Sequence, residues 1–302
     1  MNISSDMASD GPITDKHPAD LPLDLIQAAL QEDAVFDDLT AVATIAADMV
    51  GTATITAKSA GTLSGVSLAN AVFAAVDASI VCDWRCADAD RVQVGDLICE
   101  LHGSVRSLLA AERTALNFLQ HLSGIATATG QFVDAVADTD CKIADTRKTT
   151  PGFRHLEKQA VLHGGGVNHR MDLRSGMLIK ENHIEACGSI TDAIHACYQA
   201  GHDSWIEVEC ETLQEVSEAV AVCPDIILLD NMSPATVSQA RGLVPDSILL
   251  EASGNITLHN AHDYALTGVN RIAIGAITHS APSLDLSMRI INAQQDANAS
   301  GA

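Results

Sequence analysis

The sequence predicts an α/β protein, with a mixed α+β first part followed by a parallel βα barrel. Two observations carry this. Short continuous apolar runs recur after about residue 140, at 142–144, 177–179, 205–208, 226–229, 248–250 and 271–274. Helix-like segments separate most of them, and the last four runs begin 21–23 residues apart. Unbroken apolar strands alternating with amphipathic helices imply a parallel sheet covered by helices. Six or seven such units at this length favour a closed barrel over an open doubly wound sheet. No Gly-x-Gly-x-x-Gly follows the first strand, which speaks against a dinucleotide fold.

The elements follow in chain order. Residues 21–33 (LPLDLIQAALQED) read as a short amphipathic helix, and 50–58 (VGTATITAK) alternate apolar and polar as a strand does. Residues 66–76 (VSLANAVFAAV) read as a helix, and 90–101 as two strands around the turn Val94-Gly95-Asp96. Residues 105–137 are rich in Ala and Leu and predict a long helix, or two interrupted near Gly124. In the second half, 190–200, 212–222, 234–243 and 257–266 are the helices between strands. The expected organisation is a disordered arm over 1–20, an N-terminal domain with long connecting helices over 21–138, a barrel domain over 139–282, and a closing segment over 283–302 with a disordered tail.

Composition narrows the function classes. The 302 residues carry a net charge of −22, which disfavours binding to nucleic acid or to an acidic membrane surface. No apolar run reaches the ~18–20 residues of a membrane span. Met1 to Asp20 lacks a secretory pattern, and the eight cysteines form no Cys-x-x-Cys pair. Reduced thiols and a cytoplasmic location are expected. Against the acidic background, ten of the seventeen basic residues fall between Arg106 and Lys180, where they outnumber seven acids. Cations gathered in one stretch of so acidic a chain point to a small anion. Within it, Arg154, Lys158 and Arg174 are equally well read as solvated surface cations.

Polar residues end the apolar runs: Lys180, Glu209, Asp230, Glu251 and Gly275. The C-terminal ends of barrel strands carry active sites. Arg147 and Lys148 follow another run, and Gly164-Gly165-Gly166 then His169-Arg170 come next. Glu209 and Asp230, at neighbouring strand ends, could hold Mg²⁺ or accept hydrogen bonds from sugar hydroxyls. Ser253-Gly254-Asn255 and Gly275-Ala276 are glycine-containing turns of the kind that cradle phosphate. A cationic clamp, a carboxylate pair and a phosphate cradle suit a doubly anionic small molecule meeting a phosphosugar.

These segments resemble the quinolinate phosphoribosyltransferases. The resemblance rests on ERTALNFLQHLSGIAT (112–127), DTRKTTPGFRHLEKQAVLHGGGVNHR (145–170), LIKENHI (178–184), IEVEC (206–210), ILLDNMS (227–233), LEASGNI (250–256) and GVNRIAIGAITHSAPSLDLS (268–287), and spans roughly 20–291. It implies an N-terminal α/β sandwich, an incomplete parallel βα barrel, and a C-terminal helix packed back on the first domain. It implies transfer of phosphoribose from phosphoribosyl pyrophosphate to quinolinate, with loss of CO₂ and a requirement for Mg²⁺. Homodimers or larger assemblies are implied, with Arg113 reaching the quinolinate carboxylates across the interface. Arg147, His169, Arg170 and Lys180 would line that pocket. Lys148 would face the pyrophosphate. Glu209 and Asp230 would hold the ribose and Mg²⁺, directly or through the bound substrate. Ser253, Gly254, Asn255 and Gly275 would take the 5′-phosphate. Lys148, Lys180, Glu209 and Asp230 are the expected catalytic set.

One stretch departs from the family pattern. After Met171 a Gly-Leu is common, whereas here Asp172-Leu173-Arg174-Ser175-Gly176 follows. Three rival readings stand against this one. A same-fold protein for another acceptor, associated with molybdate transport, should lack part of the Arg113, Arg147, His169, Arg170 set. A silent phosphosugar binder should lack Lys148, Glu209 or Asp230. An aldolase using Lys180 as a Schiff base sits poorly with the two carboxylates.

Overall fold

The computed structural model describes residues 21–295, so the expected arm over 1–20 lies outside the described residues, as does the end of the tail. The described residues open with α1 (Leu23–Glu32) and α2 (Leu39–Thr44), the latter capped by Asp38, whose side chain accepts from the Ala41 N–H at 2.9 Å. There follow β1 (Met49–Ala57), β2 (Gly61–Thr62), α3 (Val66–Val76), β3 (Val81–Trp84), β4 (Arg91–Val92) and β5 (Leu97–Ser104). Period-two burial on β1 turns Ala53, Ile55 and Ala57 into the core, where α3 residues such as Val72 and Phe73 are also buried.

The long helix α4 (Val105–Ala135) is continuous, so the expected break near Gly124 is absent. Gly124 answers a different need. A Cβ there would lie 2.2 Å from the Pro282 carbonyl oxygen, and only glycine lets the two backbones meet. Near its start, Arg106 donates to the Ile45 and Val42 carbonyls and ties α2 to α4.

The second half runs β6 (Lys142–Ala144), α5 (Arg154–His163), β7 (Met177–Ile179), α6 (Glu181–Cys187), α7 (Ile190–Ala200), β8 (Ile206–Cys210), α8 (Leu213–Val222), β9 (Ile226–Asp230), α9 (Pro234–Leu243), β10 (Leu249–Ser253), α10 (Ala261–Ala265), β11 (Arg271–Ala273) and α11 (Ala276–His279). The six strands are parallel in the order β6-β11-β10-β9-β8-β7. Ser189, Thr212 and Ser233 cap the helices α7, α8 and α9. The barrel is not closed, which corrects the expectation from unit counting. β6 and β7 are the two edges, and the chain between them makes a helix and loops, joined to β6 by an isolated parallel bridge from Val167 to Ala144.

The segment expected as a C-terminal helix is a strand, β12 (Leu286–Gln295). Leu286 and Met288 are buried while Arg289 is exposed, and the Leu286, Met288, Ile290 alternation is a strand pattern. β12 pairs antiparallel with every residue of β1, giving the sheet β12-β1-β5-β3. The barrel is therefore inserted in the chain between β5, with the α4 that follows it, and β12, which lie on either side of β1.

Candidate active site

The C-terminal mouth of the barrel collects most of the expected residues. Lys180 is the N-cap of α6, directly after β7, and its Nζ donates to Glu209 Oε2 on β8 at 2.5 Å. Asp230 ends β9 and registers with Ser253 of β10. Burial, first of all, raises the Asp230 carboxyl above its usual range, while the Lys180 and Lys148 ammonium groups oppose the rise. The loop after Asp230 is locked to the loop after β10. Asn231 adopts φ +55°, donates to Asp230 Oδ2 at 2.5 Å and accepts from Asn255 Nδ2 at 2.9 Å. Gly254 has φ +90°, and a Cβ on it would lie 2.2 Å from Asn231 Oδ1. This turn admits no side chain at 254, which leaves backbone facing the mouth.

Gly275 opens α11. A Cβ there would meet Lys148 Cδ at 3.0 Å and His279 Nε2 at 3.3 Å. Thr278 Oγ1 donates to the Lys148 carbonyl at 2.8 Å. Lys148, Gly275 and His279 thus share one corner. His279 was missed by sequence reasoning, and its spacing of four from Gly275 on a short helix was the available signal.

Arg147 and Arg170 form the cationic side. Among the described residues neither makes an ion pair, and Arg147 Nε is buried without a hydrogen-bond partner. Burial, and next the nearby Arg147 charge, push the Arg170 guanidinium below its usual range. Arg170 Nη1 donates to the Gly176 carbonyl at 3.0 Å. Two half-buried guanidiniums, neither paired with a carboxylate, are a ready anion site.

Helix α5, which is absent from the elements that the sequence predicts, braces this side. Lys158 is fully buried and pairs with the buried Asp145, donating also to the His169 carbonyl at 3.0 Å. Asp145 accepts the His169 N–H at 2.9 Å. Burial pushes the Asp145 carboxyl up and the Lys158 ammonium down, and each charge persists because of the other. Beside it, buried Glu157 accepts from the Thr150 N–H at 3.1 Å and pairs with His121 of α4 at 2.9 Å, holding the loop of Arg147 and Lys148. Arg154 donates to Thr149 Oγ1 and the Met171 carbonyl, joining two loops. Of the three ambiguous cations, then, Lys158 and Arg154 are structural. Arg174 is exposed and pairs with Asp172, whose side chain accepts from the N–H groups of Arg174 and Ser175 and closes a self-contained turn.

His169 departs from the lining role expected of it. It is 8% exposed, Nδ1 accepts the Arg170 N–H at 2.7 Å, and Nε2 lies 2.8 Å from Glu207 Oε2. Both ring nitrogens are engaged inside the protein. Burial pushes its pKa down to about 4. Glu251 also differs from the reading that put it at a strand end. β10 continues to Ser253, so Glu251 is inside the barrel, paired with Arg271. Arg113 stays apart from the mouth. It is exposed on α4, and among the described residues no hydrogen bond or ion pair joins it to the barrel loops.

The donor set fits Mg²⁺ only in one mode. Glu209 and Asp230 offer hard carboxylate oxygens, but Lys180 and Lys148 stand beside them. Two carboxylates flanked by two ammonium groups do not form an all-protein cage. They suit an ion that brings its own phosphate ligands.

Comparison with known proteins identifies the family. The family profile "Quinolinate phosphoribosyl transferase, N-terminal domain" matches residues 38–123, and the corresponding C-terminal domain profile matches 125–289. A probable carboxylating nicotinate-nucleotide pyrophosphorylase of Bacillus subtilis is 46% identical over 239 residues, covering 79% of this chain and 83% of its own. The carboxylating nicotinate-nucleotide pyrophosphorylase of Mycobacterium leprae is 42% identical, covering 89% of this chain and 97% of its own. The crystal structure of NadC from Streptococcus pyogenes superposes with a TM-score of 0.86 at 42% identity, covering 91% of this chain and 98% of that one. Two profiles that together take in most of the chain, and relatives at this identity over nearly their whole length, settle the family. The chain belongs to the quinolinate phosphoribosyl transferases.

Proposed function

We propose that this protein transfers phosphoribose from phosphoribosyl pyrophosphate to quinolinate and releases pyrophosphate and CO₂, forming nicotinate mononucleotide for NAD synthesis. The observation that carries the reading is the unpaired Arg147–Arg170 couple beside the Lys180–Glu209 pair. Quinolinate, a dianion, would lie on the two guanidiniums with Lys180 near. Its ring nitrogen would attack C1 of the phosphosugar as the bond to pyrophosphate breaks. Glu209 and Asp230 would accept hydrogen bonds from the ribose hydroxyls and stabilise positive charge developing at C1. Lys148 would meet the leaving pyrophosphate, while the backbone of Ser253, Gly254, Asn255 and Gly275 would take the 5′-phosphate. Glu209 and Asp230 would hold Mg²⁺ together with the substrate, and the ion would supply charge neutralisation on the pyrophosphate. Loss of the carboxyl next to the ring nitrogen leaves an electron pair that the cationic ring stabilises until a proton arrives, so no general base is needed.

A homodimer with Arg113 entering the neighbouring site is part of this proposal. It is supported by the exposure of Arg113 and by Phe36, Leu39 and Val42, which are 69%, 84% and 58% exposed around α2, the helix tied to α4 by Arg106. Chains carrying Arg113→Ala mixed with chains carrying Lys148→Ala should regain activity, and mixed dimers without regain would refute the shared site.

The direct test is release of CO₂ and pyrophosphate from quinolinate, phosphoribosyl pyrophosphate and Mg²⁺, with nicotinate in parallel. Turnover with quinolinate alone is expected. Turnover with nicotinate instead would overturn the dicarboxylate site. Silence in both from folded protein would favour another acceptor.

A further inference from the structure

Beneath the mouth, four ionisable side chains meet in the barrel interior: His169, Glu207 of β8, Glu251 of β10 and Arg271 of β11. One ligand atom each from His169, Glu207 and Glu251 lies within 4.8 Å of the others, a spacing a metal could use. Two features exclude that use. Arg271 puts its guanidinium among the carboxylates, with Nε on Glu251 and Nη2 3.6 Å from Glu207 Oε1. His169 Nδ1 accepts the Arg170 N–H, so the neutral ring carries its proton on Nε2 and has no lone pair there for a metal. That proton points at Glu207 Oε2, 2.8 Å away.

We infer that Glu207 is a positioning residue for the acceptor site: by accepting the Nε2 proton of His169, it fixes the tautomer whose Nδ1 holds the backbone of Arg170. The opposite tautomer would set an Nδ1–H against the Arg170 N–H and a bare Nε2 against a carboxylate, losing both bonds at once. The far end of Arg170 is held by the same assembly. Its Nη1 donates to the Gly176 carbonyl, and a Cβ on Gly176 would lie 2.2 Å from the Trp205 ring. Trp205 in turn stands edge-on to His169, with centroids 5.5 Å apart. Arg170 is therefore fixed at its backbone by His169 and at its tip by a loop packed on the same indole. Glu251 and Arg271 keep Glu207 in place, since Arg271 bridges the two carboxylates. Asp145 and Lys158 hold the His169 backbone from the α5 side. The inference rests on the reading of Arg170 as a quinolinate ligand.

Two measurements on the full chain test it. Long-range ¹H–¹⁵N correlation of histidine-labelled protein near neutral pH should show His169 protonated at Nε2 and bare at Nδ1. An Nδ1–H tautomer or an imidazolium would overturn the proposal, whether or not any variant folds. In steady-state kinetics, Glu207→Gln should raise the quinolinate KM about tenfold while moving kcat and the phosphoribosyl pyrophosphate KM much less. His169→Asn, whose Oδ1 can replace Nδ1 as acceptor, should retain more quinolinate affinity than His169→Gln, whose polar end lies where Nε2 was. Equal rises of both KM values in Glu207→Gln, or no difference between the two His169 variants, would reduce the cluster to a structural one and refute positioning. Arg170→Ala separates this failure from failure of the site reading. If it leaves the quinolinate KM unchanged, the acceptor lies elsewhere and both fall. If it raises that KM while Glu207→Gln does not, the positioning role alone falls.

Discussion

Glu207 and Glu209 stand two residues apart on β8, and Lys148 and Lys158 ten residues apart around the α5 turn, yet each pair divides between two levels of the barrel. At the mouth, Glu209 meets Lys180 and Lys148 faces Gly275, both within reach of a ligand. One level down, Glu207 and Lys158 are fully buried and spend their hydrogen bonds on His169 and Asp145. The contrast teaches that depth, and not residue type, decides whether a charge binds substrate or shapes the site that does. A buried charge must be satisfied by its own protein, and the groups satisfying it are thereby fixed.

The sharpest way to break this contrast is to remove one lysine from each level. Lys158→Met leaves Asp145 buried without a counter-charge and should cost about 3–5 kcal/mol in denaturant unfolding. Adding Asp145→Asn should restore part of it. Lys148→Ala should lower kcat by about 100- to 1000-fold while changing stability by less than about 1 kcal/mol. Similar stability losses in the two single variants would erase the distinction.

A second test uses pH. Burial pushes the Glu207 and Glu251 carboxyls up to about 7 from an ordinary 4.5. Between those values the folded protein keeps protons that the unfolded chain has released, so their contribution to stability falls as pH rises. His169, held at about 4 against an ordinary 6.5, contributes in the opposite sense, adding stability as pH rises through that window. Two carboxyls outweigh one imidazole, and above about 6.5 only the decline remains. Glu251→Gln should therefore gain on the parent in unfolding free energy between roughly pH 5 and roughly pH 8. An unchanged difference across that range would place the carboxyls in a wetter setting than the barrel core. The smallest effect is expected from Arg174→Ala, within about 0.5 kcal/mol, because its pair with Asp172 is exposed. A larger change would show that the unusual 172–176 loop is tied to the mouth.

Much of the mouth was legible in the sequence. A buried parallel strand reads as an unbroken apolar run, so the polar residue that ends it marks the strand's C-terminal end. Lys180 and Asp230 were found this way. Glu251 follows an apolar run just as Asp230 does, but β10 extends two residues beyond it, and nothing local to the chain distinguishes the two. Helix α5 was hidden because its buried residues include Glu157 and Lys158, which weaken the apolar stripe that announces a helix. His169 was read as lining the dicarboxylate pocket, because the buried carboxylates it meets lie on strands 38 and more residues away. The β12 strand is the opposite case: its Leu286, Met288, Ile290 alternation is a strand pattern, whereas the resemblance implies a helix there.

The pairing of β12 with β1 bears on how the molecule is made. A chain emerging from the ribosome folds its leading part first, yet here β1, paired with β5 on one side, acquires its second neighbour only after the whole barrel has been synthesised. Until then the leading sheet exposes a nine-residue edge of unpaired N–H and carbonyl groups, a template for pairing with another nascent chain. β12 thus works as a clasp, and a chain that stopped short of it would carry an open edge together with a finished barrel.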